Sequence, residues 1–297
     1  MGLVKRTDLS AELTESDSKR ARELSKALTK QFNDFHSKDR WAVIGVEKIL
    51  LRQKQAEIRG MEQGRRVRPH KYIFSPSGVS KCSRELWYKA TGEKPVEDRQ
   101  PYHRRWTRNS TAIHEATQRD LLTMSLMPEK PAFTVQFNND GLPMWEETVK
   151  SHKLFNHNGV EFAILGMMDG ILQYKDGSTI GFEYKTKSNS VAQVGNYKLK
   201  EPMSYHKEQC TAYSLLFGMD EFMLMYEAIA KDGWTKGAEA RADFKVFYHK
   251  VTKEDQTALL DKLANVVKAI ESKALPQMQI DKCLMCGYKD ICRKAGE

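Results

Sequence analysis

No stretch of this chain approaches the roughly 18 consecutive apolar residues that a membrane-spanning helix needs, so no membrane association is expected. Its start has no secretory signal pattern, and Arg6 occupies the position where a myristoylation signal requires Ser or Thr. A cytoplasmic location follows as the expectation. No phosphate-binding loop of the GxxxxGK(S/T) type occurs, so any unwinding of a duplex has to come from a partner. Internal repeats and low-complexity linkers are absent as well. Cysteine is scarce, with five in 297 residues. Structural disulfides are rare in the cytosol, so clustered cysteines there suggest a metal.

Charge is more plentiful. Lys and Arg number 48 against 39 acids, a net charge of +9. That excess favours a polyanionic partner through phosphate contacts and counterion release. Arg65, Arg66, Arg68, His70 and Lys71 form one basic cluster. A second gathers His103, Arg104, Arg105 and Arg108 around Tyr102 and Trp106, a mixture suited to a backbone groove with base stacking.

The chemistry concentrates in GMMDGILQYKDGSTIGFEYKTK, residues 166–187. Apolar residues lead to Asp169, Lys175-Asp176-Gly177-Ser178 signals a turn, and a second strand carries Glu183, Tyr184 and Lys185. Alternate residues of a strand share a face, so Glu183 and Lys185 point one way and Tyr184 the other. A two-residue loop at Asp176-Gly177 would pair Asp169 with Tyr184 and put the aspartate on the wrong face. An odd-length loop, or a bulge near Gly166 and Gly170, is therefore predicted. Two acids and a lysine are the minimum equipment for metal-dependent phosphodiester hydrolysis, and oxygen ligands suit Mg²⁺ or Mn²⁺. Upstream, a helix predicted over residues 106–124 places His114 one turn before Gln118. Downstream, Gln209 and Tyr213 stand at i and i+4 of another helix.

In this order, His114, Asp169, Glu183-x-Lys185 and Gln209-x-x-x-Tyr213 resemble the RecB-like branch of the PD-(D/E)XK nucleases, which includes the CRISPR-associated exonuclease and phage relatives. The resemblance covers roughly residues 75 to 295. It implies an α/β fold with a restriction-endonuclease-like core, a mixed central sheet flanked by helices. It implies that His114, Asp169, Glu183 and the Tyr184 carbonyl bind the metal. Lys185 is then catalytic, and Gln209 with Tyr213 supports the site. One departure is that Asn109-Ser110-Thr111 stands where family members often carry a glycine before the histidine.

Three cysteines form C-x2-C-x5-C in DKCLMCGYKDICRKAGE: Cys283, Cys286 and Cys292. A fourth thiolate would complete a Zn²⁺ site or an iron–sulfur cluster, and Cys82 is the best candidate. Cys210, on a helix with Tyr213, Leu216 and Phe217, reads as a small buried apolar residue. One distant cysteine joined to a C-terminal triplet resembles the 4Fe–4S staple of RecB-like exonucleases, with Zn²⁺ as the alternative. By analogy with a disulfide, closing a loop of about two hundred residues removes roughly 5 kcal/mol of unfolded-chain entropy.

Residues 1–64 read as an N-terminal helical extension, with Ala21, Leu24, Leu28, Phe32 and Phe35 at helical spacing, and residues 65–297 as the nuclease domain. Strands are expected at residues 133–137, 146–154, 160–174, 222–229 and 243–251, and a helix capped by Thr252 runs to about residue 272. The expected function is that of a metal-dependent DNA exonuclease in recombination, repair or processing. Alternatives are an endonuclease or end-processing factor, and a nucleic-acid-binding assembly subunit with an idle site. Expected partners are DNA and a helicase or recombination protein, and the oligomeric state is left open.

Overall fold

The computed structural model describes residues 15–64, 68–96, 99–187, 189–284 and 286–295. Helix α1 (Glu15–His36) buries Leu24, Leu28, Phe32 and Phe35, the apolar stripe of its sequence. Helix α2 (Ile44–Glu62) follows, then the short strand β1 (Ile73–Phe74) and helix α3 (Ser83–Ala90), with Cys82 as its N-cap. Helix α4 (Pro101–Ser125) starts with proline in its first turn, where no amide hydrogen is needed. Arg65 and Arg66 of the first basic cluster lie outside the described residues.

The remaining elements are β2 (Phe133–Val135), β3 (Ser151–His157), β4 (Val160–Gly166), β5 (Gly170–Tyr174), β6 (Thr179–Lys187), α5 (Ser204–Phe217), β7 (Glu221–Ala228), β8 (Phe244–Lys250), α6 (Lys253–Glu271) and α7 (Lys289–Lys294). The strand expected from residue 146 begins later, because Glu146–Val149 winds into a 3-10 turn. Helix α6 is capped as its sequence suggests: Thr252 Oγ1 accepts the Asp255 N–H, and the Asp255 carboxylate accepts the Thr252 N–H.

Strands form two sheets. One is three-stranded in the order β1-β4-β3, and the other is five-stranded and mixed, in the order β2-β5-β6-β7-β8. Strands β6 and β7 are parallel, which requires a crossover, and α5 supplies it. Alternation along β6 separates two environments. Phe182 and Tyr184 join Leu24, Leu28, Leu121 and Met225 in the core beneath α1 and α4. Phe222, Leu224 and Tyr226 of β7 face the other way, against Cys210 and Tyr213 of α5. Glu183 and Lys185 belong to this second face by the same alternation. Helix α1 is thus part of the main core, and the Arg20 guanidinium ties it to Glu221 of β7 and to Asp176 in the β5–β6 turn.

Candidate active site

The β5–β6 turn fixes the register. Gly170 pairs with Phe182 and Gln173 with Thr179, so one further step places Asp169 opposite Glu183. The loop is odd: Lys175, Asp176 and Gly177 lie between Tyr174 and Ser178, closed by the Tyr174 N–H on the Ser178 carbonyl at 2.9 Å. Gly177 takes φ +88°, the left-handed position that three-residue hairpin loops require. The geometric demand of the sequence is met by the loop, and both acids share one face. Gly181 makes this face compact, since a Cβ there would lie 2.4 Å from the Phe222 ring.

Around this pair the other residues converge. Asp169 Oδ2 accepts the Tyr184 N–H at 2.9 Å and lies 3.9 Å from His114 Nδ1. The Lys185 ammonium makes a close ion pair with Glu183 Oε1. The Gln209 amide donates to Tyr213 Oη at 2.7 Å, and this phenol steadies the charged form of Glu183. Glu183 itself has no exposed surface, and neither of its oxygens has a well-aligned hydrogen bond. Lys185 therefore supplies charge at short range without satisfying the carboxylate's directional needs. A buried carboxylate left in this condition is costly unless another ligand completes it.

Electrostatics follow from burial. Desolvation pushes the Glu183 carboxyl upward, and the Asp169 charge adds to the rise, while Lys185 opposes it. Desolvation raises Asp169 too, against Lys185 and the Tyr184 N–H. Its side chain keeps 19 % of its surface in contact with solvent, so the push is softer there than on Glu183. Burial works against the Lys185 ammonium, but Glu183 and Asp169 outweigh it and raise its pKa. Burial, then the Lys185 charge, lower His114, which leaves a neutral imidazole able to act as a ligand.

A hard divalent cation fits the two carboxylates and the neutral imidazole gathered here. The Glu183 oxygens, paired with Lys185 but without an aligned hydrogen bond among the described residues, are the specific sign of that fit. Among the described residues, no three His, Cys, Asp or Glu side chains converge tightly enough to cage an ion as they stand.

Two contributions were invisible in the sequence, and a third carried only a faint signal. Ser110 Oγ bonds Thr186 Oγ1 at 2.7 Å, joining α4 to the end of β6 at the stretch that departs from the family pattern. Glu146 adopts φ +47°, its N–H binds the Met168 carbonyl at 2.7 Å, and its charge reaches Asp169. Gln118, in contact with Glu146, donates to the Asp169 carbonyl at 3.1 Å. Only Gln118 carried a signal, its position one turn beyond His114.

The four cysteines singled out in the sequence also meet. Cys82, Cys283, Cys286 and Cys292 line one small cavity with Arg84, Tyr88 and Tyr288. All are free thiols, as is buried Cys210. Arg84 Nη1 and the Tyr288 N–H donate to the sulfurs of Cys292 and Cys286, each at 3.4 Å. Tyr88 stacks on Tyr288, and its buried hydroxyl has no hydrogen-bond partner among the described residues.

No described helix is long and apolar enough to cross a membrane. No curated protein matches the sequence. Among solved structures, the chain is similar to SSO0001 at 13 % identity, with a TM-score of 0.44 over 85 % of this chain and 97 % of that one. It is also similar to an alkaline exonuclease from Laribacter hongkongensis, at 11 % identity and a TM-score of 0.42 over 75 % and 93 % of the two chains. The same exonuclease in complex with dAMP gives 12 %, 0.40, 76 % and 94 %. Residues 79–293 match the family model of the PD-(D/E)XK nuclease superfamily. That match spans most of the chain and includes the paired acids, the lysine and all four cavity cysteines, and the chain belongs to this superfamily.

Proposed function

We propose that this nuclease is a DNA exonuclease dependent on Mg²⁺ or Mn²⁺, of the RecB-like branch, acting on DNA in recombination, repair or processing. The observation that carries the reading is the three-residue loop, which sets Asp169 opposite Glu183 on the face shared with Lys185. His114, Asp169, Glu183 and the Tyr184 carbonyl would hold the ion. When bound, it would acidify a water and offset charge on the scissile phosphate. Lys185 steadies developing negative charge beside the phosphate and orients the attacking water. Gln209 fixes the Tyr213 phenol, which in turn positions Glu183. Ser110 holds α4, and with it His114, against the end of β6.

Cys82, Cys283, Cys286 and Cys292 are proposed to hold a 4Fe–4S cluster that staples the C-terminal segment to α3. Two kinds of observation support this: N–H donors directed at two of the sulfurs, and the Tyr88 hydroxyl in the same wall, without a hydrogen-bond partner among the described residues. Zn²⁺ on the same four thiolates is the alternative. The staple is structural. A cytoplasmic setting and a helicase or recombination partner complete the proposal.

The test is degradation of end-labelled linear DNA by anaerobically purified protein with Mn²⁺, beside Lys185→Ala and a covalently closed circle. Loss of the linear substrate, blocked by EDTA and by the substitution, with the circle intact, is the expected result. Cutting of the circle would make the enzyme an endonuclease. DNA bound but left intact by both proteins would mean an assembly subunit with an idle site.

A further inference from the structure

One cavity shares no lining residue with the catalytic face. It encloses about 400 Å³ between β1 and α3. No catalytic residue and no carboxylate lines it, whereas Arg68, His70, Lys71 and Lys89 do. Lys71 is engaged, 3.4 Å from Glu271 Oε1. Arg68 and Lys89 have no ion-pair partner among the described residues. The Tyr72 N–H donates to His70 Nδ1 at 3.1 Å, so the imidazole carries its proton on Nε2 as a further donor. Beneath this rim the floor is apolar, formed by Ile73, Leu86 and Ala90. Gly78 keeps one wall open: a Cβ there would lie 2.9 Å from Ser75 Oγ and 4.0 Å from Lys89 Nζ.

We propose that this cavity is a nucleotide-binding site separate from the catalytic centre, with Arg68 and Lys89 on the phosphate and the apolar floor under the sugar and base. An Arg fork and a Lys point charge are the usual anion donors, and unpaired cations around a concavity attract an anionic ligand. The volume lies at the lower end of small-molecule sites and suits one nucleotide rather than a tract of backbone. The ligand is a nucleoside 5′-phosphate, either free or at the end of a strand. The nuclease reading enters only in choosing a nucleotide as the ligand.

Calorimetric titration of the full chain in EDTA with thymidine 5′-monophosphate tests the site while hydrolysis is silent. Wild type and Lys185→Ala should bind equally, and thymidine without phosphate should not bind. The double substitution Arg68→Glu with Lys89→Glu should weaken binding at least tenfold. Gly78→Val should weaken it without changing charge, and the charge-reversed protein should keep the wild-type melting temperature. Displacement by a 5′-phosphorylated oligonucleotide but not its 5′-hydroxyl counterpart would identify a strand end as the source. Displacement by neither would identify the free nucleotide. Wild type that binds neither mononucleotide nor phosphorylated oligonucleotide would overturn the site. So would undiminished binding by the charge-reversed protein, or inorganic phosphate competing as well as the nucleotide. A protein that degrades DNA yet fails here loses only this site, and one that binds here without degrading DNA loses only the catalytic reading.

Discussion

The catalytic hairpin and the cysteine cavity both hold polar groups away from water, but they sit on opposite sides of the stability balance. On the hairpin, the register forces Glu183 into a fully buried position with no aligned hydrogen bond. The fold sustains that cost because Phe182 and Tyr184, on the opposite face of the same strand, are locked into the main core. At the cysteine cavity, the short α7 and the turns around it have little core of their own, and Tyr88, Tyr288 and Cys292 form only a small cluster. There the ligand would supply the stability. A site that spends stability and a site that provides it should respond in opposite ways to loss of their polar groups.

The sharpest break in the comparison is at the cysteines. Cys283→Ser or Cys82→Ser should remove absorbance near ~400 nm and lower the melting temperature by roughly 10–20 °C, the equivalent of about 5 kcal/mol of loop closure. Cys210→Ser, outside the cavity, should retain the chromophore. A colourless wild type with stoichiometric zinc would replace the cluster by Zn²⁺ and leave the stapling intact.

Next is the register. Deleting Asp176 would leave the two-residue turn Lys175-Gly177 in place of the three-residue loop that closes Tyr174 on Ser178 and sets Asp169 opposite Glu183, and cleavage should fall sharply. Far-ultraviolet circular dichroism should stay unchanged, and cleavage at the wild-type rate would refute the role of the loop. Lys185→Ala should lower the cleavage rate about 10³-fold, in the range expected for loss of one preorganised electrostatic group. Its melting temperature should move by only a few degrees.

A subtler contrast concerns pH. Folding raises the Glu183 pKa, chiefly by burial, so the folded chain holds this proton more tightly than the unfolded one. Stability from this group is therefore complete below the ordinary carboxylate range and is lost as pH rises toward neutrality. In EDTA, melting temperature should fall over that interval in wild type and stay flatter in Glu183→Gln. Added Mn²⁺ should stabilise wild type more at pH 8 than at pH 6. Smallest of all, Ser110→Ala should cost a few-fold in cleavage rate through loss of the 2.7 Å bond to Thr186, with no change in the cofactor spectrum.

The legible parts of this molecule were those governed by periodicity or by a local demand. The α1 stripe, the Thr252 cap and the need for an odd hairpin loop all follow from the chain's own spacing. The grouping of Cys82 with the distant triplet came instead from a resemblance to iron–sulfur-stapled nucleases, and the fold brings the four cysteines to one cavity. What could not be read were single contacts between remote segments. Ser110 meets Thr186, and Glu146 turns through φ +47° to reach the Met168 carbonyl, without any sequence pattern announcing either. The strand expected from residue 146 was misplaced for the same reason, since Glu146 is held by a tertiary hydrogen bond and its segment winds into a 3-10 turn.

The most direct measurement is calorimetric titration of Mn²⁺ into wild type and Glu183→Gln at pH 8, each paired with its melting temperature in EDTA. The account predicts binding in wild type, its loss in the variant, and a higher melting temperature for the metal-free variant. Mn²⁺ bound equally by both proteins, or a variant less stable than wild type in EDTA, would contradict it.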